Sequence, residues 1–364
     1  MGKKMRKFNI QILSGSLQDV IRSIGNPINC EVRDLVDISL KELYEIKYPA
    51  RKDNFKLSEF NEFISNYDLD GYGNWVYYPW SNLLLRIPPK EDLRLLRTAR
   101  NQNLITKKEQ DTLFSSTILI AGMSVGSNVL DQMLHTGVGG KYILADMDTL
   151  EFTNLNRVKS GLTSLSLPKV VVAARKALEL DPYLEIYIYE DGINDLAINE
   201  LSKNGEEINL IVDEVDDIFT KMQLRDLARK LKKPIIMATD NSDGAIIDFE
   251  RYDLDDSQQI FNGLIPYEIL QKMSSGEMSR EEIGQAVGRY FVGFDLVDSK
   301  LLESLKSVKK DIPSWPQLGT AASISGVLAA YYGRLIILND PLITAGRFIE
   351  DFDKRINSKA ESLQ

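Results

Sequence analysis

The feature that most constrains the fold of this chain is a regular alternation of short apolar runs with helical patterns between residues 90 and 250. The apolar runs, rich in Val, Ile and Leu, predict strands at 116–122, 141–146, 185–190, 208–214 and 233–239. The helical patterns between them cover Asn128–His135, Lys169–Leu180, Asp195–Lys203 and Lys221–Leu231. Continuous apolar strands separated by helices are typical of parallel sheets that are covered on both faces. The pattern therefore predicts an α/β fold with a Rossmann-like, doubly wound, mostly parallel sheet.

The flanking sequence predicts a smaller domain before this sheet and an insertion after it. Residues 1–90 combine a strand-like run at Phe8–Leu13, an amphipathic helix near Leu17–Ile24 and the aromatic-rich stretch GYGNWVYYPWSNLLLRI. They predict a small N-terminal α+β domain whose aromatic residues pack against the core. Residues 91–364 then form the larger domain, with a charged helical insertion near 266–310 that contains a capping-box pattern. The following segment, WPQLGTAASISGVLAAYYGRLII, predicts one long and mostly buried helix.

Charge and residue content exclude several classes of function. The formal net charge of −9 argues against general nucleic-acid binding, which needs clustered Lys and Arg. The single cysteine, Cys30, excludes intrachain disulfides and a Cys-based structural zinc site. The single histidine, His135, leaves almost no material for a Ser-His-Asp triad or a His-rich metal site. The sequence shows neither a signal-peptide pattern nor an uninterrupted apolar run of about 18 residues, so we expect a cytoplasmic protein without a membrane span.

A phosphate-binding turn is predicted where the first of these strands runs into the sequence AGMSVGS. Small residues let the backbone approach a phosphate, while the loop amides and the N-terminus of the next helix supply positive potential. Gly122, Ser124 and Gly126 are the candidate contacts. The usual GxGxxG pattern is incomplete because Met123 and Ser124 occupy positions where glycine is common. By itself the loop is equally compatible with a simple tight turn between a strand and a helix.

Acidic residues at the end of the second of these strands are candidates for holding a ribose. Asp146 and Asp148 both follow the strand, and a carboxylate there is placed to accept hydrogen bonds from ribose hydroxyls. The alternation of side chains along a strand leaves open which of the two faces the nucleotide. Up to this point an NAD(P)-dependent oxidoreductase fits as well as an ATP-using enzyme.

The next residues separate these alternatives. The run D-x-D-x(5)-N-L-N-R, followed by SLPKVVVAAR and LIVDEVDD, resembles the ThiF/MoeB/E1-like adenylating enzymes. The resemblance covers residues 97–249 and, more loosely, the final long helix. It implies an ATP-dependent adenylyltransferase that activates a carboxylate as an acyl-AMP and releases pyrophosphate.

This resemblance implies an ATP and Mg²⁺ site built by four matching residues. Asn154, Arg157, Lys169 and Asp216 would surround the nucleotide, with Asp216 as the ligand of the metal. The chemistry agrees with these residue types. Attack of a carboxylate on the α-phosphorus builds negative charge on the phosphate oxygens, and cations such as Arg157 and Lys169 stabilise that charge.

The segment before the first of these strands, LRTARNQNLITKKEQDTL, resembles the part of the family in which an arginine reaches the ATP phosphates, often across a two-fold dimer. Arg100 is the first candidate for this role and Arg97 is the second. The resemblance therefore implies a homodimer with a shared active site.

Two departures from the family leave the later chemistry open. The chain has no CxxC pairs for the zinc site of ThiF and MoeB, and no cysteine in its C-terminal half for a thioester step. The resemblance implies a substrate carboxylate at the C-terminus of a ubiquitin-like or sulfur-carrier protein or of a peptide, without fixing where the acyl group goes. The N-terminal domain either grips such a peptide or has a structural or dimerising role. A catalytically degenerate nucleotide- or protein-binding module is a further alternative, because side chains at Met123 and Ser124 would crowd a nucleotide.

Overall fold

The computed structural model describes residues 4–297 and 299–352. The strands are β1 (Arg6–Phe8), β2 (Gln11–Leu13), β3 (Glu31–Asp34), β4 (Asn74–Tyr78), β5 (Leu83–Ile87), β6 (Thr117–Ala121), β7 (Lys141–Ala145), β8 (Glu185–Tyr189), β9 (Ile208–Asp213), β10 (Pro234–Asn241), β11 (Gly244–Arg251) and β12 (Gly346–Asp351). The α-helices are α1 (Leu17–Ser23), α2 (Val36–Lys47), α3 (Leu57–Ile64), α4 (Lys90–Thr98), α5 (Lys107–Phe114), α6 (Gly126–Thr136), α7 (Lys169–Leu180), α8 (Asp195–Asn204), α9 (Ile218–Leu231), α10 (Tyr267–Ser275), α11 (Arg280–Ala286), α12 (Ser299–Ser304) and α13 (Gly319–Ile337).

The larger sheet has the order β1-β8-β7-β6-β9-β10-β11-β12. The five strands from β8 to β10 run parallel, while β1, β11 and β12 are added antiparallel at the two edges. The five predicted strands are these parallel strands, and the four predicted helices are α6, α7, α8 and α9. The Rossmann-like prediction is confirmed. The strand order reverses between β6 and β9, which is where ligands bind in open α/β sheets.

Burial on both faces explains why the central strands have continuous apolar sequences. Every residue of β6 is buried. On one face, the strands pack with α6, α7 and α13, and on the other they pack with α8 and α9. A strand covered on both sides has no solvent-facing position, so it shows no alternation of polar and apolar residues.

Helix α13 is the long buried helix that the sequence predicts. Its small residues allow close packing on α6: a Cβ added at Gly326 would lie 2.7 Å from the backbone carbon of Asn128. Among the described residues it is also the one helix that is long and apolar enough to cross a membrane, and half of that stretch is buried within the fold. Its sequence is explained by packing in the core.

The N-terminal residues form a second sheet with the order β2-β4-β5-β3. The predicted run Phe8–Leu13 is divided between two sheets, because β1 pairs with β8 of the larger sheet and β2 pairs with β4. The aromatic stretch contacts helix α7: Tyr78 Oη donates to the carbonyl of Leu178 at 3.2 Å, and the Trp80 indole donates to Glu179. The first strand and these contacts join the N-terminal sheet to the core.

The segment 260–310 is helical and lies over the carboxyl end of the sheet. It includes α10, α11, a π-helical turn at Val287–Val292 and α12. Asn241, the last residue of β10, donates its Nδ2 to the carbonyl of Leu296 at 2.9 Å. On the other side of the segment, Arg347 of β12 donates to the carbonyl of Val292 at 3.4 Å. These bonds dock on the sheet the part of this segment that begins with α10, residues 267–297 and 299–310, which is called the lid below.

Candidate functional site

A cavity of about 870 Å³ opens at the carboxyl ends of β6, β7, β9 and β10, where the strand order reverses. The polar and charged residues on its wall include Ser124, Asp148, Glu151, Asn154, Arg157, Lys169, Glu214, Asp216, Lys221, Asp240 and Gln317. Their positions follow from the fold, since the carboxyl ends of parallel strands meet at one edge of the sheet.

The loop after β6 has the backbone geometry of a phosphate-binding turn. Gly122 has φ +90°, and a Cβ there would lie 2.2 Å from the carbonyl oxygen of Glu214, so this position requires glycine. Gly126 is the first residue of α6. The Met123 side chain is fully buried in the core and leaves the cavity clear, whereas Ser124 is on the cavity wall. The methionine that replaces glycine at position 123 therefore does not obstruct a ligand.

Asp146 and Asp148 have different surroundings. The Asp146 carboxylate accepts hydrogen bonds from the backbone N–H of Met123 at 2.6 Å and of Asp148 at 2.7 Å. Burial raises the pKa of Asp146. Asp148 is exposed on the cavity wall. The first carboxylate thus holds the phosphate loop against β7, and the second is the one that faces the cavity.

Arg157 is fixed next to the phosphate loop by groups from α6 and its preceding turn. Its Nε donates to Ser124 Oγ at 3.0 Å, and its own carbonyl accepts a bond from Asn128 Nδ2 at 2.9 Å. The buried Asn154 shapes the turn that leads to it, since its Oδ1 accepts the backbone N–H of Glu151 at 3.0 Å. The guanidinium is therefore oriented before any ligand binds.

Lys169 is a buried cation at an electrostatically unfavourable position. It is 7 % exposed and is the first residue of α7, where the helix dipole disfavours positive charge. Its Nζ pairs with Asp148 Oδ2 at 2.8 Å. A cation held on a cavity wall against both burial and the helix dipole is suited to an anionic ligand.

The remaining predicted residues lie in different places. Asp216 follows β9 with its side chain exposed on the cavity wall. Arg100 is exposed in the turn Ala99–Asn101, and Asn101 Nδ2 donates to the carbonyl of Thr136 at 2.9 Å, at the far end of α6. Helix α6 has 11 residues, about 16 Å at 1.5 Å per residue, so Arg100 is not on the cavity of its own chain.

Arg97, the second candidate, has a structural position. Its guanidinium donates to Asp181 Oδ2 and to the carbonyl of Leu134, both at 2.6 Å. Asp181 is fully buried, so Arg97 neutralises an interior carboxylate and joins α4 to α6 and α7.

Four further charged residues on the cavity wall were not predicted from the sequence, namely Glu151 and the three described next. Glu214 accepts the backbone N–H of Ala238 at 2.9 Å, and burial raises its pKa. Lys221 pairs with the buried Asp213 at 3.2 Å. Asp240 accepts hydrogen bonds from Ser325 Oγ at 2.6 Å and from Gln317 Nε2 at 3.5 Å, and burial raises its pKa. The sequence signal that could have identified Glu214 and Asp240 is that each is an acidic residue at the carboxyl end of a parallel strand.

Comparisons with known proteins show which sequences this chain resembles. The ThiF family model matches residues 97–274. The uncharacterized protein MT1398 of Mycobacterium tuberculosis is 30 % identical over 74 % of this chain and 36 % of its own length. The tRNA threonylcarbamoyladenosine dehydratase of Bacillus subtilis is 26 % identical over 38 % of this chain and 54 % of its own length. This chain thus spans between about a third and about half of these relatives.

Among solved structures, the crystal structure of PaaA superimposes with a TM-score of 0.50 at 15 % identity, covering 72 % of this chain and 80 % of that one. At this identity the match concerns the fold alone, and it agrees with the Rossmann-like sheet described above.

Proposed function

Residues 97–274 form a ThiF-family domain, and from this premise we propose that the chain is an ATP-dependent adenylyltransferase. It activates a carboxylate as an acyl-AMP and releases pyrophosphate. The observation that carries the proposal is the convergence of the phosphate loop with Asn154, Arg157, Lys169 and Asp216 on one cavity. An oxidoreductase needs no such pair of cations beside its dinucleotide.

In the proposed reaction, an oxygen of the substrate carboxylate attacks the α-phosphorus of ATP, and the bond from that phosphorus to the β-phosphate oxygen breaks. Negative charge grows on the α-phosphate and on the departing pyrophosphate. Arg157 and Lys169 are placed to stabilise this charge in a partly buried site, where electrostatic interactions are strong. The amides of the phosphate loop and the N-terminus of α6 add to the same field. Asp148, on the cavity wall, is the proposed partner of the ribose.

The residues of the cavity fit a magnesium ion that arrives with the triphosphate. Mg²⁺ in nucleotide sites usually takes one or two carboxylates plus phosphate oxygens and water. Over residues 4–297 and 299–352, no cluster of three or more His, Cys, Asp or Glu side chains is arranged to hold a metal by itself. Asp216 is the proposed protein ligand. When bound, the ion would neutralise charge on the phosphates.

The charges of the cavity wall support a shared site in a homodimer. Five carboxylates line the cavity, against three cations: Asp148, Glu151, Glu214, Asp216 and Asp240 against Arg157, Lys169 and Lys221. A triphosphate adds further negative charge to a wall that is already negative. Magnesium compensates only part of it, so an additional cation is needed. Arg100, exposed and remote from its own cavity, is the proposed contribution from a second copy of the chain.

The substrate proposed from the family resemblance is the C-terminal carboxylate of a ubiquitin-like or carrier protein or of a peptide. The acyl group would pass to an amine or to the thiol of a partner, because Cys30, the one cysteine, lies in the N-terminal sheet region. The N-terminal domain is the proposed surface for gripping such a substrate.

Pyrophosphate exchange and ligand-dependent thermal stability test this function. Mg-ATP should raise the melting temperature. With candidate peptides as the source of the carboxylate, Asp216→Ala should abolish the exchange of labelled pyrophosphate into ATP. Lys169→Met should do the same, whereas Lys176→Met, on the same helix and 40 % exposed, serves as the matched control and should retain activity. Stabilisation by NAD(H) and not by ATP, or unchanged exchange in Asp216→Ala, would refute adenylation.

A further inference from the structure

Part of the wall of this cavity is formed by the lid. The walls of this part come from the end of β10, from the segment before α13 and from the lid, through Asp240, Phe291, Val292, Val297, Leu301 and Trp315. We call this space the lid compartment. The lid supplies apolar side chains, and β10 supplies a carboxylate.

Three of the apolar residues that the lid contributes to this compartment are buried. Phe291 is 4 % exposed and lies against Phe261, with ring centroids 4.7 Å apart. Val297 and Leu301 are also buried. A ligand group that enters here therefore meets an apolar wall on the lid side and leaves water behind, which favours an apolar chain.

Asp240 forms no ion pair with a Lys or Arg of the part of the chain that the structure describes. Ser325 Oγ donates to it at 2.6 Å and Gln317 Nε2 at 3.5 Å. No Lys or Arg nitrogen of residues 4–297 and 299–352 lies within 4.0 Å of its oxygens. A partly buried carboxylate held by two neutral donors still has lone pairs available, and a charged donor gives the strongest hydrogen bond to it.

Asp240 also lies within electrostatic range of the nucleotide half of the cavity. The positive charge of Arg157 acts on its carboxyl group, although the two side chains form no ion pair. Arg157 is bound to Ser124 of the phosphate loop at 3.0 Å. A molecule whose carboxylate is at the α-phosphate therefore extends naturally toward Asp240 and the lid.

From this arrangement we infer that the substrate is an acid that carries a protonated amine and an apolar portion. Asp240 binds the amine, and Phe291, Val297 and Leu301 contact the apolar portion. The inference rests on the proposed adenylation and narrows its substrate class. The amine has two possible sources, the α-amino group of an amino acid or a basic side chain near the C-terminus of a peptide.

Stable analogues of the acyl-AMP test this without knowledge of the natural substrate. The full-length chain is titrated by calorimetry with leucyl-sulfamoyl-adenosine and with its analogue lacking the amino group. A second pair carries N-acetyl-lysyl-leucyl and N-acetyl-norleucyl-leucyl groups, of which only the first bears an amine, and so tests the peptide source. The wild type should bind the amine-bearing member of at least one pair tenfold more tightly or better, which is about 1.4 kcal/mol.

Asp240→Asn should reduce this preference to about twofold or less, while the amine-free analogues and ATP bind at least as tightly as they bind to the wild type. Asp243→Asn is the matched control, since Asp243 is exposed, bonds Thr320 and does not line the cavity. Equal binding of both members in both pairs, or failure of all analogues to bind while ATP binds, would overturn the inference and leave adenylation standing. Absence of ATP binding would instead defeat the proposed function, and this inference with it. The wild-type comparison decides the matter even if Asp240→Asn fails to fold.

Discussion

Replacing Arg225 by methionine should destabilise the protein strongly, because this arginine is the main counter-ion of two interior carboxylates. Arg225 is 1 % exposed, and its Nε pairs with Glu250 at 3.1 Å while its Nη1 pairs with Asp213. Asp213 keeps a second partner, since Lys221 lies 3.2 Å away. Glu250 keeps only the hydroxyl of Tyr252, at 2.9 Å, among the hydrogen bonds described for its side chain.

The expected loss in the free energy of unfolding follows from the carboxylate that is left without a cationic partner. Removing one partner of a buried ion pair costs about 3–5 kcal/mol, because the other charge remains in the interior. In Arg225→Met we expect a loss of this size in the free energy of unfolding at pH 7.5, carried chiefly by Glu250. The double variant Arg225→Met/Glu250→Gln removes the stranded charge and should recover most of the loss. Urea unfolding followed by circular dichroism measures both.

The pH dependence provides an independent check. Burial raises the pKa of Glu250, and Arg225 opposes that rise. Without the arginine the pKa rises further, so the folded state binds a proton at a pH where the unfolded state does not. The deficit of Arg225→Met relative to the wild type should therefore shrink as the pH falls from 7.5 to 5. A loss below about 1 kcal/mol, a deficit independent of pH, or no recovery in the double variant would refute this account.

Three other variants test separate parts of the site. Gly122→Ala should lose about 1–3 kcal/mol of stability and the ATP-dependent thermal shift, because of its φ of +90° and the 2.2 Å approach to a carbonyl oxygen; Gly161→Ala, in open space, should change neither. Lys169→Met should melt at or above the wild-type temperature yet lose the ATP shift, since it removes a buried cation from a helix N-terminus; a lower melting temperature with an intact ATP shift would assign Lys169 a structural role. Burial raises the pKa of Asp240, so its ionised form weakens the fold at high pH. Asp240→Asn should melt above the wild type at pH 8, with the difference fading toward pH 4, and an equal difference at both values would contradict the sign of the shift.

Several residues predicted for the nucleotide site lie at the same edge of the sheet because they follow strand ends within a few positions. Gly122 follows β6 and Asp216 is three residues past β9, so a correct strand pattern places both on the same edge of the sheet. Lys169 begins the helix after the resemblance motif. Asp146 and Asp148 could not be ranked from the sequence, since the answer depends on which carboxylate the Met123 amide selects.

The N-terminal run and the upstream arginines show where local pattern fails. Phe8–Leu13 has the composition of one strand, yet its two ends join different sheets. The local pattern does not show which sheet edge is available for pairing. Arg97 and Arg100 are three residues apart on similar sequence. Arg97 pairs with the buried carboxylate of Asp181, whereas Arg100 is exposed to solvent. Arg97 and Asp181 are 84 residues apart in the sequence, so the local pattern could not predict this pair.

The lid compartment could not be predicted from the sequence, and the reason concerns which residues would determine the choice of substrate. Strand β10 was predicted to end at 239, but it continues to Asn241 in a hairpin with β11, and that extension brings Asp240 onto the cavity. Asp240 bonds Ser325 across 85 residues, and Asn241 bonds Leu296 across 55. By contrast, Arg157 and Lys169 are held by Ser124 and Asp148, which belong to the central sheet region. Because the described hydrogen bonds join the lid to β10 and β12, its sequence can change without disturbing these cations. In the proposed reaction, activation of the acid would then depend on residues of the parallel sheet, and the choice of acid would depend on the lid and on Asp240.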